Sequence, residues 1–302
     1  MRTLLLIIGI ALGLTFSAGA ALPAQKSTRP KRPPQPVASP LNLPGEVNDF
    51  RIEDQLDLAA EQLMAAGKTT KMSDLIRQLG RRSCSIELPG HSATNVSNGK
   101  LAASSRPGVL VIGDLSKCKK CPKWHVGASS GFLLTSSGVC VTCYHVVNVP
   151  ASPTLIAMAG DGRVVAVKEV LAANPHTDLA VLQLDGTDFQ PLPLDTEAPV
   201  GSPVRVLSHP DDHFFTLSEG IVSRYVALPL EKAPGEVTFM AITADFGAGS
   251  SGAPVFNERG GVVGIVNNTQ SLYYDPKKGR DLQMVFKHCL PSQYILQLVG
   301  KK

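Results

Sequence analysis

Apolar and polar positions along the chain fall into three textures. Residues 1–20 hold an uncharged apolar run, "LLLIIGIALGLTF", behind the positive start "MRT". Residues 46–82 carry apolar side chains at helical spacing. Ile52, Leu56, Ala59, Ala60 and Leu63 share one face of "FRIEDQLDLAAEQLMAAGK", and Gly67 marks a stop. "SDLIRQLG" repeats the pattern in short form, with Ser73 as N-cap and Gly80 as C-terminal cap. From residue 83 onward, short β-branched segments alternate with Gly, Pro, Asn and Asp turns. They include "GVLVIG", "SGFLLT", "VCVTC", "TLIAMA", "LAVLQL", "PVRVLS", "VTFMAIT", "GVVGIV" and "LQMVF". Many short strands with turn punctuation predict an all-β barrel or sandwich. "PSQYILQLVG" predicts a closing helix with Pro291 at its start.

Composition narrows this picture. Of 302 residues, 43% are hydrophobic and 18% charged, which is globular rather than disordered or fibrous. The net charge is +4, and part of it lies in "KSTRPKRPP". That is a solvated basic tail rather than a nucleic-acid footprint. Residues 21–45 read as a Pro-rich basic linker. The first apolar run is shorter than a membrane span, and "SAGA" follows it with small residues at Ala18 and Ala20. Residues 1–20 therefore read as a signal peptide. The expected mature chain begins near Ala21, keeps no stable membrane anchor, and works outside the cytoplasm, in the periplasm or secreted.

Export bears on the six cysteines, Cys84, Cys118, Cys121, Cys140, Cys143 and Cys289. An oxidising compartment favours disulfides. "CKKC" (Cys118, Cys121) and "CVTC" (Cys140, Cys143) also match a zinc-ribbon spacing. Strand alternation points Cys140 and Cys143 to opposite faces, which suits a single tetrahedral ion poorly. Disulfides are expected, with the pairing and the zinc alternative left open.

The chemistry centres on "DFGAGSSGAPVF", residues 245–256, a glycine-rich turn between apolar strands. Acyl transfer by serine needs a hydroxyl on a tight turn, an imidazole base, a carboxylate to orient it, and backbone N–H groups for the oxyanion. "GSSGAPVF" resembles the G-x-S-G-x-P signature of trypsin-like, chymotrypsin-fold serine proteases. "SGFLLTSSGVCVTCYHVV" resembles the segment that delivers their histidine, and "NPHTDLAVLQL" resembles their aspartate strand. The resemblance covers roughly residues 108–299 and is closest in flavour to the HtrA/Deg-type branch. It departs from that branch at Cys143 and Tyr144, where small residues are usual, and no PDZ module is expected.

The resemblance implies two packed antiparallel β-barrels within a protease domain at residues 83–302, behind the helical segment at 46–82. It implies an endopeptidase acting on polypeptide substrates with no metal or organic cofactor. Ser251 would be the nucleophile, His145 the general base and Asp178 its orienting carboxylate. The N–H groups of Gly249 and Ser251 would form the oxyanion hole. Asp245, six residues before Ser251, is a specificity candidate that would select Arg or Lys. The rival expectation is a catalytically inactive relative that binds peptides in the same cleft. The other histidines (His91, His125, His176, His209, His213, His288) read as surface or packing residues. "NVS" at Asn95 and "NNT" at Asn267 match glycosylation acceptors.

Overall fold

The computed structural model of the protein describes residues 43–90, 95–118, 123–229 and 235–300. The expected signal peptide, nearly all of the expected linker, His91 and Cys121 lie outside the described residues. Twelve strands form two closed antiparallel barrels, as the resemblance implies. The first contains β1 (Val109–Lys117), β2 (Trp124–Leu133), β3 (Val139–Cys143), β4 (Leu155–Ala159), β5 (Val164–Asn174) and β6 (Leu179–Leu184), joined in the order β1-β2-β3-β6-β5-β4. The second contains β7 (Pro203–Ser208), β8 (Thr216–Pro229), β9 (Glu236–Ile242), β10 (Pro254–Phe256), β11 (Val262–Asp275) and β12 (Arg280–Pro291), in the order β10-β11-β12-β9-β8-β7.

Each barrel fills with its own inward-facing side chains. Leu110, Ile112, Leu133, Val170 and Leu182 pack in the first. Val204, Val206, Met240, Val255 and Val263 pack in the second. A separate cluster joins the barrels. Phe132, Val141 and Val181 meet Leu207, Phe256, Ile265 and Leu290 there, and all are fully or nearly fully buried. Each such side chain contributes about 1.5–3 kcal/mol by leaving water, so the barrels are held firmly enough to share a site. Two helices complete this cluster: α3 (Asn98–Ser105) through Leu101, and α5 (Gln293–Val299) through Ile295 and Leu298.

The N-terminal helices form as the periodicity predicts. Asn48 caps α1 (Asp49–Ala65) by accepting the N–H of Arg51. The helix ends where Gly67 (φ +65°) turns left-handed, with Gly67 N–H bonded to Met64 O and Lys68 N–H to Leu63 O. On the body side, Asp57 accepts the N–H of Val126 (2.9 Å) and Glu61 that of Trp124 (3.3 Å). Two carboxylates thus cover backbone donors on the outer part of β2 that would otherwise form an open edge.

Three boundaries differ from expectation. Helix α2 (Met72–Gln78) is capped by Lys71, with Ser73 inside it, because the Met72 N–H is tied to Pro153 O (2.8 Å). Pro291 ends β12, and Ser292 caps α5. Helix α3 arises in "NGKLAASS", where apolar periodicity is too weak to announce it.

Candidate active site

His145 and Asp178 come together through local backbone geometry in the first barrel. β3 runs directly into the single turn α4 (Tyr144–Val147). The N–H groups at the start of that turn lack partners within it. Tyr144 N–H bonds to Asp178 O (2.9 Å), and His145 N–H to Asp178 Oδ1 (2.9 Å). Asp178 itself has φ +50°, an uncommon backbone conformation that acidic residues tolerate better than most. The turn before it is held by Asn174, whose side-chain oxygen accepts the N–H groups of His176 and Thr177. The second Asp178 oxygen lies 2.7 Å from His145 Nδ1. A carboxylate at that distance fixes the Nδ1–H tautomer and leaves Nε2 free to accept a proton. The imidazole is about half exposed.

The second barrel presents Ser251. Gly249 (φ +87°) and Gly252 (φ +92°) flank the two serines, and both adopt conformations closed to most other residues. A Cβ on Gly252 would stand 2.1 Å from Ser130 O, and one on Gly249 would stand 2.4 Å from His209 O. The first barrel clamps this turn. Ser130 N–H bonds to Ser251 O (3.0 Å), Ser130 Oγ donates to Gly249 O (2.8 Å), and Thr142 Oγ1 donates to Ser130 O (2.7 Å). The two serines differ plainly. Ser250 is buried, bonding Ser208 Oγ (3.0 Å) and receiving Gly247 N–H (3.3 Å). Ser251 is part-buried, and its hydroxyl donates to Asn267 O (3.3 Å). Among the described residues that bond, rather than one to His145, is what the hydroxyl makes.

The carbonyl of Ala248 accepts Asp211 N–H (2.7 Å). Across a trans peptide, this turns the Gly249 N–H the opposite way. Neither that N–H nor the one of Ser251 has a hydrogen-bond partner among the described residues. Two donors left open beside a hydroxyl are the elements an oxyanion site requires.

Asn267 is the residue that sequence reasoning assigned elsewhere. It lies on β11, 6% exposed, and its Nδ2 donates to Asp178 Oδ2 at 2.6 Å. The Asp178 carboxylate thus receives three donors: two from His145 and one from Asn267. Burial and this bond remove Asn267 from the reach of a glycosylating enzyme in the folded chain. Its place directly after the apolar run "GVVGIV" was the available signal.

Cys143 stands behind the imidazole. Its thiol donates to Val266 O (3.3 Å) and lies 3.7 Å from Asn267 Nδ2. Burial, followed by the charge of Asp178, pushes this thiol well above its usual range. Cys143, His145 and Asp178 place ligand-type atoms within 4.8 Å of one another. A His–Asp pair already bonded to each other, with the Asp carboxylate also held by Asn267, suits a zinc ion poorly. The expected disulfides are corrected for the described residues: Cys84, Cys140, Cys143 and Cys289 are free thiols. Cys140, Cys143 and Cys289 are wholly buried within the barrels' cores and serve as small apolar side chains.

Asp245 sits at the surface. Its carboxylate is 91% exposed, with Oδ1 3.5 Å from Lys287 Nζ. Of the remaining described histidines, His176 stands in the turn before Asp178, with its N–H on Asn174. His125 pairs with Asp57, and His288 is buried on β12 against Asn268. His209 is fully buried, with Nε2 bonded to Leu110 O and Nδ1 accepting Phe215 N–H (3.0 Å). Burial, more than any charge, lowers its pKa to about 3 and keeps it neutral.

Residues 129–265 match the family model described as a trypsin-like peptidase domain. Among curated relatives, a probable periplasmic serine endoprotease, DegP-like, from Pseudomonas fluorescens is 32% identical over 139 residues, covering 45% of this chain and 28% of that protein. A protein of the same description from Hahella chejuensis is 31% identical over 147 residues, covering 48% and 30% respectively. The aligned part thus spans less than a third of these relatives' length. Among solved structures, the active form of the Rv3671c protease from M. tuberculosis superposes with a TM-score of 0.53 at 23% identity, covering 72% of this chain and 96% of that one. That likeness concerns the fold. Two closed barrels, the matching family model and these relatives agree in supporting a trypsin-like, HtrA-type protease.

Proposed function

We propose that the chain is an extracytoplasmic serine endopeptidase in which Ser251, His145 and Asp178 act as a triad. The observation that carries this reading is the convergence at Asn267. Its backbone carbonyl holds the Ser251 hydroxyl, while its side chain holds the carboxylate that orients His145. In the proposed reaction, Ser251 Oγ leaves Asn267 O, donates to His145 Nε2 and attacks the scissile carbonyl. His145 takes the proton and later delivers it to the leaving amine. Asp178 holds the tautomer and stabilises the imidazolium. The Gly249 and Ser251 N–H groups receive the oxyanion, where loss of one donor typically costs 10²–10³ in turnover.

The substrates are polypeptides. Selection of Arg or Lys by Asp245 would require its carboxylate to turn from Lys287 toward the cleft. Location outside the cytoplasm is supported by the description of the relatives as periplasmic and by the N-terminal sequence pattern. The experiment is hydrolysis of an unfolded protein by the parent and by Ser251→Ala. The variant should fold normally and lose several orders of magnitude in turnover, on the order of 10⁶ by the measure of an unrelated triad. Parental turnover in Ser251→Ala would refute the proposal.

A further inference from the structure

The segment His209–Phe215 connects β7 to β8 and stands directly behind the Ala248–Gly249 peptide. Asp211 N–H holds Ala248 O at 2.7 Å, and His209 O packs where a Cβ on Gly249 would fall. Three of its non-glycine residues are left-handed: Asp211 (φ +47°), Asp212 (φ +59°) and Phe215 (φ +56°). For a bulky residue such as Phe215 that is a true outlier, and it persists only where surrounding contacts impose it.

Those contacts come from outside the second barrel. Asp49, the first residue of α1, accepts Phe214 N–H at 3.1 Å. The Phe214 side chain is buried with Leu56 and Ala60 of α1 and with Val111 and Ile156 of the first barrel. His209 donates to Leu110 O and receives Phe215 N–H. Beside the turn, a cavity of about 730 Å³ is lined by Arg51, Gln55, Arg106 and Phe215. A strained turn next to open space has somewhere to relax when one restraint is lost.

We infer that helix α1 is a positioning element of the oxyanion loop, acting through the bond from Phe214 N–H to the Asp49 carboxylate and through Asp211 to the Ala248–Gly249 peptide. The helical segment ahead of the barrels then sets catalytic competence rather than only adding stability. The inference rests on the proposed serine chemistry, since it concerns the donors that receive the oxyanion.

The test compares Asp49→Ala, Asp49→Asn and Glu61→Ala in the full chain. Glu61 also docks α1, but by accepting the Trp124 N–H of β2 rather than an N–H of the turn. Asp49→Ala should lower kcat about tenfold with KM within twofold, because a displaced donor costs part of the 10²–10³ that a deleted one costs. Asp49→Asn keeps an acceptor oxygen and should recover most of that loss. Glu61→Ala should lower Tm at least as much as Asp49→Ala while leaving kcat within twofold. Parental kcat in Asp49→Ala, or equal losses in Asp49→Ala and Glu61→Ala, would overturn the inference while the protease reading stands. A parent protein that neither cleaves nor reacts at Ser251 would overturn both.

Discussion

Asn267 Nδ2 donates to Asp178 Oδ2 at 2.6 Å, bringing a side chain of the second barrel onto the carboxylate that orients the first barrel's histidine. The relationship ties the two barrels at the point where their chemistry must meet. A hydrogen bond to a charged group is typically worth about 1.5–3 kcal/mol. Asn267→Ala should therefore lower kcat by roughly tenfold to a hundredfold. Asn267→Asp should do worse, since a second carboxylate would face Asp178. Steady-state kinetics on one peptide substrate, with Tm recorded for each variant, check this.

Ser130 seats the turn that carries Ser251 against the first barrel, and Gly252 allows the approach. Gly252→Ala adds a Cβ 2.1 Å from Ser130 O and 2.5 Å from Thr142 Oγ1, at φ +92°. Backbone atoms cannot yield as a flexible side chain would. The variant should lose on the order of 3 kcal/mol and its Ser251 reactivity. Denaturant melts, together with probe labelling below the transition, measure the two losses separately.

His209 links stability to pH. Its folded pKa, lowered to about 3, lies below the ordinary value near 6.5. Between these values the unfolded chain binds the extra proton. The contribution is therefore fully present above about pH 6.5 and is lost as pH falls toward 3, at up to about 1.4 kcal/mol per pH unit. His209→Gln, which retains a donor and an acceptor, should flatten the stability profile across that interval. An unchanged slope in urea melts from pH 4 to 7 would contradict the assignment.

Cys140, Cys143 and Cys289 are shielded from solvent, and burial raises all three thiols above the usual range. Alkylation by iodoacetamide at pH 8 should leave the peptides carrying them unmodified in the folded protein and label them fully in denaturant. Mass spectrometry of the digests distinguishes these states.

Much of this architecture was legible in the sequence because its signals are local. "VCVTC", "LAVLQL" and "PVRVLS" appear as strands with the bounds expected of them; turn residues bracket the last two, and Gly138 starts the first. His145, Asp178 and Ser251 could be nominated from short motifs. Asn267 could be placed on a buried strand by the run "GVVGIV" before it, but its role comes from contact with a residue 89 positions away. The outer half of β11 also escaped notice, although "LQMVF" announced its partner on β12. Residues such as Gln270 and Ser271 face solvent there, and pairing to Phe286 and Val285 rather than apolar alternation makes the strand. The cysteines misled because spacing alone cannot show whether a thiol points into a core. Asp245 was counted to a position by spacing, while the fold turns its carboxylate outward toward Lys287.

Reaction with a fluorophosphonate tests the central claim most directly. Intact-mass and peptide analysis should find a single adduct on Ser251 of the parent, none on the buried Ser250, and labelling strongly slowed in His145→Ala. A folded parent protein that stays unlabelled, or that carries the adduct elsewhere, would contradict the claim that Ser251 is activated by His145 and Asp178.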